Sequence, residues 1–404
     1  MKVTLSEVTT LTPDFAFKSK DFKNGNMPVL KIADIQGQVR CSNVSKVNTD
    51  AYTHAKLEKY LVKPGDCLVA MTGNTIGKIG RVSEGTGLIN QRVLKVNPAD
   101  NKILDSEYLW GLLQLNSFHR HIINHIDSHS AQPNISASSI GKFSFDLPDL
   151  NTQIKISKIL ASIRKKAELN NRINDYLTEL LLALQKQTEE TEEFTESRAD
   201  ELFNIHIGKT PPRKEPEWFS FNRASNVIWM SIKDMGNENV YLIDSSEYLT
   251  PEAVEKHNVK KCSPGSILLS FKLTVGRVGI AASEMVTNEA IACFSSDDSR
   301  KLAYLYPLLK SYDYASLGST SSIAVAVNSR MIKAMKIKMP SSTALDRYYA
   351  QAEPIYDLLL DNAKETAALV GLRDTLLPRL MSGEIDVSEV EVPTQLNNHL
   401  SFYL

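Results

Sequence analysis

Cysteine is scarce in this 404-residue chain: Cys41, Cys67, Cys262 and Cys293 are all there are, and no two form a CxxC pair. From that spacing neither a disulfide framework nor a zinc cage is expected, and a reducing, cytoplasmic setting suits it. Long apolar runs are missing as well. No stretch approaches the roughly 20 residues that span a bilayer, and Met1-Lys2-Val3-Thr4 does not open a signal peptide, so no membrane is expected as a partner. There is no excess of charge of either sign: 46 Lys+Arg stand against 47 Asp+Glu, a net of −1. Taken alone, that balance speaks against a large polyanionic partner. With 42% hydrophobic and 23% charged residues, a disordered or collagen-like chain is excluded. The length implies two or three domains, each able to bury its own core.

What the chain does have is an internal repeat. Val62-Lys63-Pro64-Gly65-Asp66-Cys67-Leu68-Val69 returns 200 residues later as Cys262-Ser263-Pro264-Gly265-Ser266-Ile267-Leu268-Leu269. Gly77-Lys78-Ile79-Gly80 returns as Gly276-Arg277-Val278-Gly279, and Ile32-Ala33-Asp34 as Ile232-Lys233-Asp234. Asn90-Gln91 is echoed by Asn288-Glu289, and Phe145-Asp146-Leu147-Pro148 by Ile337-Lys338-Met339-Pro340. The matches keep their order, as a domain duplication does. Short apolar runs such as Cys67–Met71, Ile267–Phe271 and Phe143–Leu147, bounded by Gly, Pro or Asn, read as strands. Ser106–Ile126 reads as one helix, from Leu109, Leu112, Leu113 and Ile122.

After each block the period changes. Ile156, Leu160, Ile163, Ala167, Asn170, Asn174, Leu177, Leu181 and Leu184 alternate four and three apart. Ala352, Ile355, Leu359, Asn362, Thr366, Leu369, Arg373, Leu376 and Leu380 do the same. That alternation is a coiled-coil seam, in which Asn170 and Asn362 hold equivalent places and would fix register. Pro378 and Gly383 should stop the second helix, and the acidic run Thr188–Glu196 should end or extend the first. The fold class expected is α+β: two duplicated mixed blocks, residues 1–150 and 201–340, and two long helices, 151–190 and 341–386, forming an antiparallel coiled coil with pseudo-twofold symmetry. Residues 387–404 are left as a tail.

Several chemical motifs fail on inspection. Gly73-Asn74-Thr75-Ile76-Gly77-Lys78-Ile79 is one residue short of a P-loop and has Ile79 where a Mg²⁺-binding hydroxyl is needed. His119, His121, His125 and His129 lack an acidic co-ligand on their face; a solvated helix face is expected there. Pro13-Asp14 with Asp21-Phe22-Lys23 mimics a nuclease pattern, but in a polar loop unable to hold carboxylates rigidly. No methyltransferase or helicase motif occurs. No catalytic residue, metal or cofactor is therefore expected. The Gly-rich turns do present groups suited to phosphates and base edges: Asn74, Thr75, Lys78 and Arg81 in the first copy, and Lys272, Thr274 and Arg277 in the second.

Three further stretches, residues 208–212 with 229–234, residues 130–136 and the closing residues 372–385, complete the pattern, and with them the chain resembles the specificity subunit of type I restriction-modification systems. The resemblance rests on the two block-plus-helix halves, on Gly208-Lys209-Thr210-Pro211-Pro212 followed by Trp229-Met230-Ser231-Ile232-Lys233-Asp234, and on Ser130-Ala131-Gln132-Pro133-Asn134-Ile135-Ser136. It is strongest in the closing Leu372-Arg373-Asp374-Thr375-Leu376-Leu377-Pro378-Arg379-Leu380-Met381-Ser382-Gly383-Glu384-Ile385. The N-terminal block lacks the Gly-Lys-Thr-Pro form, Ser266 stands at the place of Asp66, and Glu289 at that of Gln91. Each block is then expected to be a target recognition domain, and Gln91, Arg92, Lys209 and Thr210 join the candidate DNA contacts. The resemblance implies double-stranded DNA as ligand, with two modification (methyltransferase) subunits and motor-nuclease restriction subunits as partners. Catalysis would lie in those other chains. A coiled-coil scaffold or adaptor that binds proteins is the alternative, and a self-sufficient restriction enzyme a third reading.

A seam from Ile154 to Gln187 would be about 50 Å long at 1.5 Å per residue, or roughly 15 base pairs of duplex. Two unlike reading heads on such a spacer imply a bipartite, asymmetric target. The charge divides accordingly: residues 1–150 and 201–340 each hold 17 basic and 14 acidic side chains, a net of +3, while 341–404 holds 4 and 10. Mildly basic blocks with an acidic tail weaken the opening objection without removing it.

Overall fold

The computed structural model describes residues 1–127, 133–237, 240–317 and 327–390. The chain divides into two compact units, residues 1–164 with 371 onward, and residues 165–370. The cut passes through both long helices, so each unit is one block with one end of each helix.

In the first unit a five-stranded sheet has the spatial order Thr9–Thr12, Val93–Pro98, Cys67–Ala70, Ile79–Glu84, Gly37–Arg40, antiparallel except for its last, parallel pair. A second sheet runs Lys46–Val47, Met27–Leu30, Gly87–Ile89, Leu61–Val62, with its central pair parallel. Cys67–Ala70 is buried on both faces, which is why it reads as an unbroken apolar run. Cys67 and Val69 pack on the helical layer with Tyr108, Leu109 and Leu112. Leu68 and Ala70 pack on the second sheet with Leu30, Ile35 and Ile89.

The second unit repeats this plan. Its five-stranded sheet runs Asn204–Ile207, Ile291–Ser295, Ile267–Ser270, Val278–Ala281, Tyr241–Leu242, again with only the last pair parallel. Its other sheet runs Phe219–Ser220, Tyr248–Leu249, Val227–Met230, Met285–Thr287, Lys261–Cys262. Ile267 and Leu269 face one core, Leu268 the other.

The repeated Gly-x-x-Gly is a packing device in both copies. Gly77 and Gly276 sit at φ +78° and +92°, where a Cβ is strained. Gly80 and Gly279 lie opposite Leu68 and Leu268 in register. A Cβ on Gly80 would come 2.6 Å from Val39 Cγ2, and one on Gly279 2.8 Å from the Leu242 side chain. Gly80→Ala should therefore cost about 1–3 kcal/mol through overpacking, seen as a lower urea midpoint at unchanged slope. An unmoved midpoint would mean that the parallel strands part freely.

The single helix expected over Ser106–Ile126 is two, Ser106–Leu113 and Asn116–Asn124. Leu115 is extended, with φ −67° and ψ 141°. The break turns Phe118 and Ile122 onto the same core as Leu109 and Leu112.

The long helices are Leu150–Thr191 and Ser342–Met381. Pro378 does not stop the second, which runs on to Met381; Gly383 at φ +76° follows the end. Of the acidic run, Glu196 lies in the strand Phe194–Arg198, paired with Lys336–Pro340. Within the second unit Asn362 Nδ2 donates to Asn174 Oδ1 at 2.9 Å, and Asn170 Nδ2 to Glu365 Oε2 at 2.7 Å. Rising numbers on one helix meet falling numbers on the other, so the pair is antiparallel. Asn170 and Asn362 are equivalent but bond elsewhere, because an antiparallel seam sets each opposite its partner's next turn. Each is a buried polar group whose partner exists in one register, the device by which a seam fixes alignment.

Candidate nucleic-acid interface

In the first unit a cleft of about 460 Å³ is lined by Lys31, Ile32, Thr72, Asn90, Gln91, Arg92 and Asn134. Its walls come from four places in the chain. Asn90, Gln91 and Arg92 form the turn between Gly87–Ile89 and Val93–Pro98. Arg92 is held at φ +67°, and its backbone N–H donates to Asp14 Oδ2 at 2.5 Å. Thr72 begins the Gly-rich turn and is bridged to Asn134, with Gly73 N–H donating to Pro133 O at 3.0 Å. Lys31 Nζ stands 4.4 Å over the Phe22 ring and donates to Ser45 Oγ at 2.9 Å.

The chemistry of the lining is one-sided. Lys31, Thr72, Asn90, Gln91, Arg92 and Asn134 offer donors and neutral acceptors, and none is a carboxylate. Gln91 and Arg92 are exposed, whereas Asn90 is only 8% exposed. The Asn90 Oδ1 atom has no hydrogen-bond partner among the described residues. A buried amide oxygen left alone costs about 1–3 kcal/mol, so this one is suited to a ligand's donor.

Two of the expected contacts, Gln91 and Arg92, thus share a site with four other polar residues that were not among the expected contacts. Asn90 stood in a repeated pair, and Asn134 in a quoted loop; Lys31 and Thr72 carried no signal. Asn74 and Lys78 are exposed on the neighbouring turn, where Lys78 Nζ donates to Gln36 Oε1 at 3.2 Å. Thr75 Oγ1 donates to Thr72 O at 3.0 Å and braces the turn.

Arg81 requires a correction. It projects inward from Ile79–Glu84, is 8% exposed, and pairs through Nη1 with Glu107 Oε1 at 2.6 Å. Its Nε donates to Gly65 O at 3.2 Å. On a strand successive side chains alternate faces, and this position faces the helical layer. Arg81 is a structural cation, not a surface contact.

In the second unit Lys272, Thr274 and Lys209 are exposed. Lys209 Nζ donates to His257 O at 2.7 Å, and Thr210 Oγ1 donates to Glu289. Arg277 is half-buried, its Nη1 donating to Ile232 O at 2.5 Å. Leu273, at the place of Gly73, is fully exposed at φ +60°. A fully solvated leucine in a strained backbone contributes nothing to the core, and such outliers point to function.

The remaining motifs resolve into structure. The helix carrying His119 and His121 ends at Asn124, so His125 lies just beyond it, its ring still packed on that of His121 with 4.2 Å between centroids. One ring nitrogen of His121, Nε2, lies 2.8 Å from Ser139 O, and His125 Nδ1 lies 2.8 Å from His121 O. His129, like Ser128 to Gln132 of the adjoining loop, falls outside the described residues. Asp21 is buried and accepts from Tyr52 OH at 2.5 Å and Lys18 N–H at 2.8 Å. Those bonds, Tyr52's foremost, hold its carboxyl below the ordinary range. Among the described residues no helix is long and apolar enough to cross a membrane.

The duplicated recognition-type blocks on long antiparallel helices define a class, and comparison with known proteins agrees. The sequence profile of the type I restriction modification DNA specificity domain matches residues 1–179 and again 191–351. The chain belongs to that family. It is 23% identical over 378 residues to the type I restriction enzyme HindI specificity subunit of Haemophilus influenzae, covering 74% of this chain and 81% of that one. It is 22% identical over 329 residues to the MjaIX specificity subunit of Methanocaldococcus jannaschii, covering 74% and 73%. The crystal structure of a type I restriction-modification S subunit from M. genitalium superposes with a TM-score of 0.50 at 15% identity, covering 94% of this chain and 96% of that one. That last likeness bears on the fold alone. The scaffold alternative finds no such support.

Proposed function

We propose that this chain is the non-catalytic, cytoplasmic address-reading subunit of a type I restriction-modification complex, each block reading one half of a bipartite asymmetric DNA target. The observation that carries the reading is the carboxylate-free cleft of the first unit, with Asn90, Gln91 and Arg92 on one turn. Arg and Lys match guanine edges and phosphates, and Asn and Gln match adenine. At the corresponding turn of the second unit stand Asn288 and Glu289, and a carboxylate suits the amino group of cytosine. Unlike side chains at equivalent places make unlike half-sites. Leu273 adds an apolar group able to contact a thymine methyl or wedge at a base step.

The long helices act as the spacer and as the docking surface for two modification subunits, which supply methyl transfer; motor-nuclease subunits supply cleavage. Leu169, Tyr176, Leu180, Leu358 and Val370 leave much of their apolar surface exposed on the helices of the second unit, as a surface awaiting partners would. Charges of +3 per block are too small for strong non-specific binding, so tight binding is a property of the assembly.

Methylome sequencing of a host with and without the gene should reveal one bipartite motif that depends on it. Duplexes carrying that motif should lose binding to the assembled complex when one base pair is inserted in the spacer. Equal affinity across several insertions would refute the spacer role, and steep salt dependence without any motif would refute address reading.

A further inference from the structure

The cysteines, dispersed in sequence, are not dispersed in space. His206 lies on Asn204–Ile207 directly opposite Cys293 of Ile291–Ser295. Cys262 belongs to the short strand Lys261–Cys262 of the other sheet in the same unit. Their ligand atoms, the two Sγ and one imidazole nitrogen, all lie within 4.8 Å of one another. Cys262 Sγ is 3.6 Å from His206 Nε2. Zinc–sulfur and zinc–nitrogen bonds of about 2.3 and 2.0–2.1 Å at a tetrahedral angle set S and N about 3.6 Å apart. We propose that His206, Cys262 and Cys293 form a structural site for a soft divalent cation of the zinc type, with water as the fourth ligand.

Two further observations bear on it. Two thiolates and a neutral imidazole around a divalent cation make a neutral cluster, so burial carries no net-charge penalty. The setting demands this, since Cys262 and Cys293 are 1% and 0% exposed. The buried hydroxyls of Thr287 and Ser266 lie beside the thiols, and Thr287 Oγ1 has no hydrogen-bond partner among the described residues, leaving it free to serve as an outer donor.

The duplication supplies an internal comparison. By strand register, Cys293 corresponds to Lys95, His206 to Thr12, and Cys262 to Val62. In the first unit Lys95 reaches Leu61 O with its ammonium at 2.7 Å, its pKa lowered by burial. The first copy thus supplies its own cation between the two sheets, whereas the second supplies a cation-binding set. All three positions change together. A metal there would tie the edge strand Lys261–Cys262 to the five-stranded sheet, as the lysine does in the other block.

Sequence spacing gave no warning, because its rules look for ligands close together in the chain, and here they are 56 and 31 residues apart.

The test uses the full chain, purified under reducing conditions without metal-affinity resin. Elemental analysis should find close to one zinc per chain. Cobalt replacing it should show the visible d–d bands of a tetrahedral site and a near-ultraviolet thiolate charge-transfer band. Cys262→Ser, Cys293→Ser and His206→Ala should each abolish those bands, while Cys41→Ser keeps them. Should the buried serines fail to fold, protection of two thiols from alkylation in the native wild type, lost on chelation, reports the same site. A cobalt spectrum without thiolate bands would overturn the proposal, as would two thiols alkylated equally with and without chelator. So would a Cys262–Cys293 disulfide in metal-free protein.

Discussion

Arg81→Ala is expected to lower stability by about 2–3 kcal/mol. Breaking a buried ion pair costs about 3–5 kcal/mol. The figure is reduced here because the Glu107 side chain is 31% exposed and keeps Arg164 Nη1 at 3.0 Å. Arg81 joins three elements: its own strand, the first turn of Ser106–Leu113 through Glu107, and the Pro-Gly turn through Gly65 O. Arg81→Lys should recover only part of the loss, since an ammonium cannot serve both partners with the geometry of a guanidinium. The melting midpoint should fall by roughly 5–10 °C. At temperatures where the variant stays folded, DNA affinity should be unchanged. Weakened binding at an unaltered midpoint would restore Arg81 to the contact set.

The pair also carries a pH signature. Burial alone would raise the Glu107 pKa, but hydrogen bonds from Arg164 and Arg81 outweigh it and hold the carboxyl below 4.5. A depressed carboxylate contributes stability that is full above its unfolded value and fades as pH falls through the folded one. The wild type should therefore lose this contribution only under distinctly acid conditions. Arg81→Ala should lose less on acidification, having lost part of the contribution already.

Asn90→Ala should have the largest effect on recognition. A side-chain amide pairing with adenine accepts through Oδ1 and donates through Nδ2, worth about 1–3 kcal/mol of discrimination. Affinity of the assembled complex for its methylome-derived duplex should fall about 10- to 100-fold. One position of one half-site should become permissive. The salt slope should stay the same, because no phosphate contact is removed. Arg92→Ala is the informative companion: a phosphate contact would reduce the slope by about one, while a guanine contact would relax a base instead. Stability should hold or rise slightly in Asn90→Ala, since a buried oxygen without a partner among the described residues is removed. A clear fall in melting midpoint at full affinity would make Asn90 a structural amide.

Much of the architecture is legible in the chain because its physics is local. Pro-Gly turns, doubly buried strands such as Cys67–Ala70, and four-three apolar spacing are all set by neighbours within a few residues. The repeat then extends each inference to its second copy, and Ile267–Ser270 has the strand order, register and two-faced burial of Cys67–Ala70. Inference fails where the partner is distant. Arg81 reads as a basic group beside a turn until strand alternation carries it toward Glu107. Ser106–Ile126 has one helical period, but the core it covers requires a break at Leu115.

The site was legible only in part, for the same reason. Gln91 and Arg92 stand beside a repeated dipeptide, whereas Lys31, Thr72 and Asn134 enter the cleft from segments up to about a hundred residues away. The sequence by itself determined that there are two related blocks and two seam helices, since repetition and period are properties of order along the chain. Only the tertiary structure decided which polar groups meet: Arg81 with Glu107, Asn362 with Asn174, and His206 with two cysteines. Contacts of that kind depend on sheet register and on the pairing of sheets, which no short stretch of residues encodes.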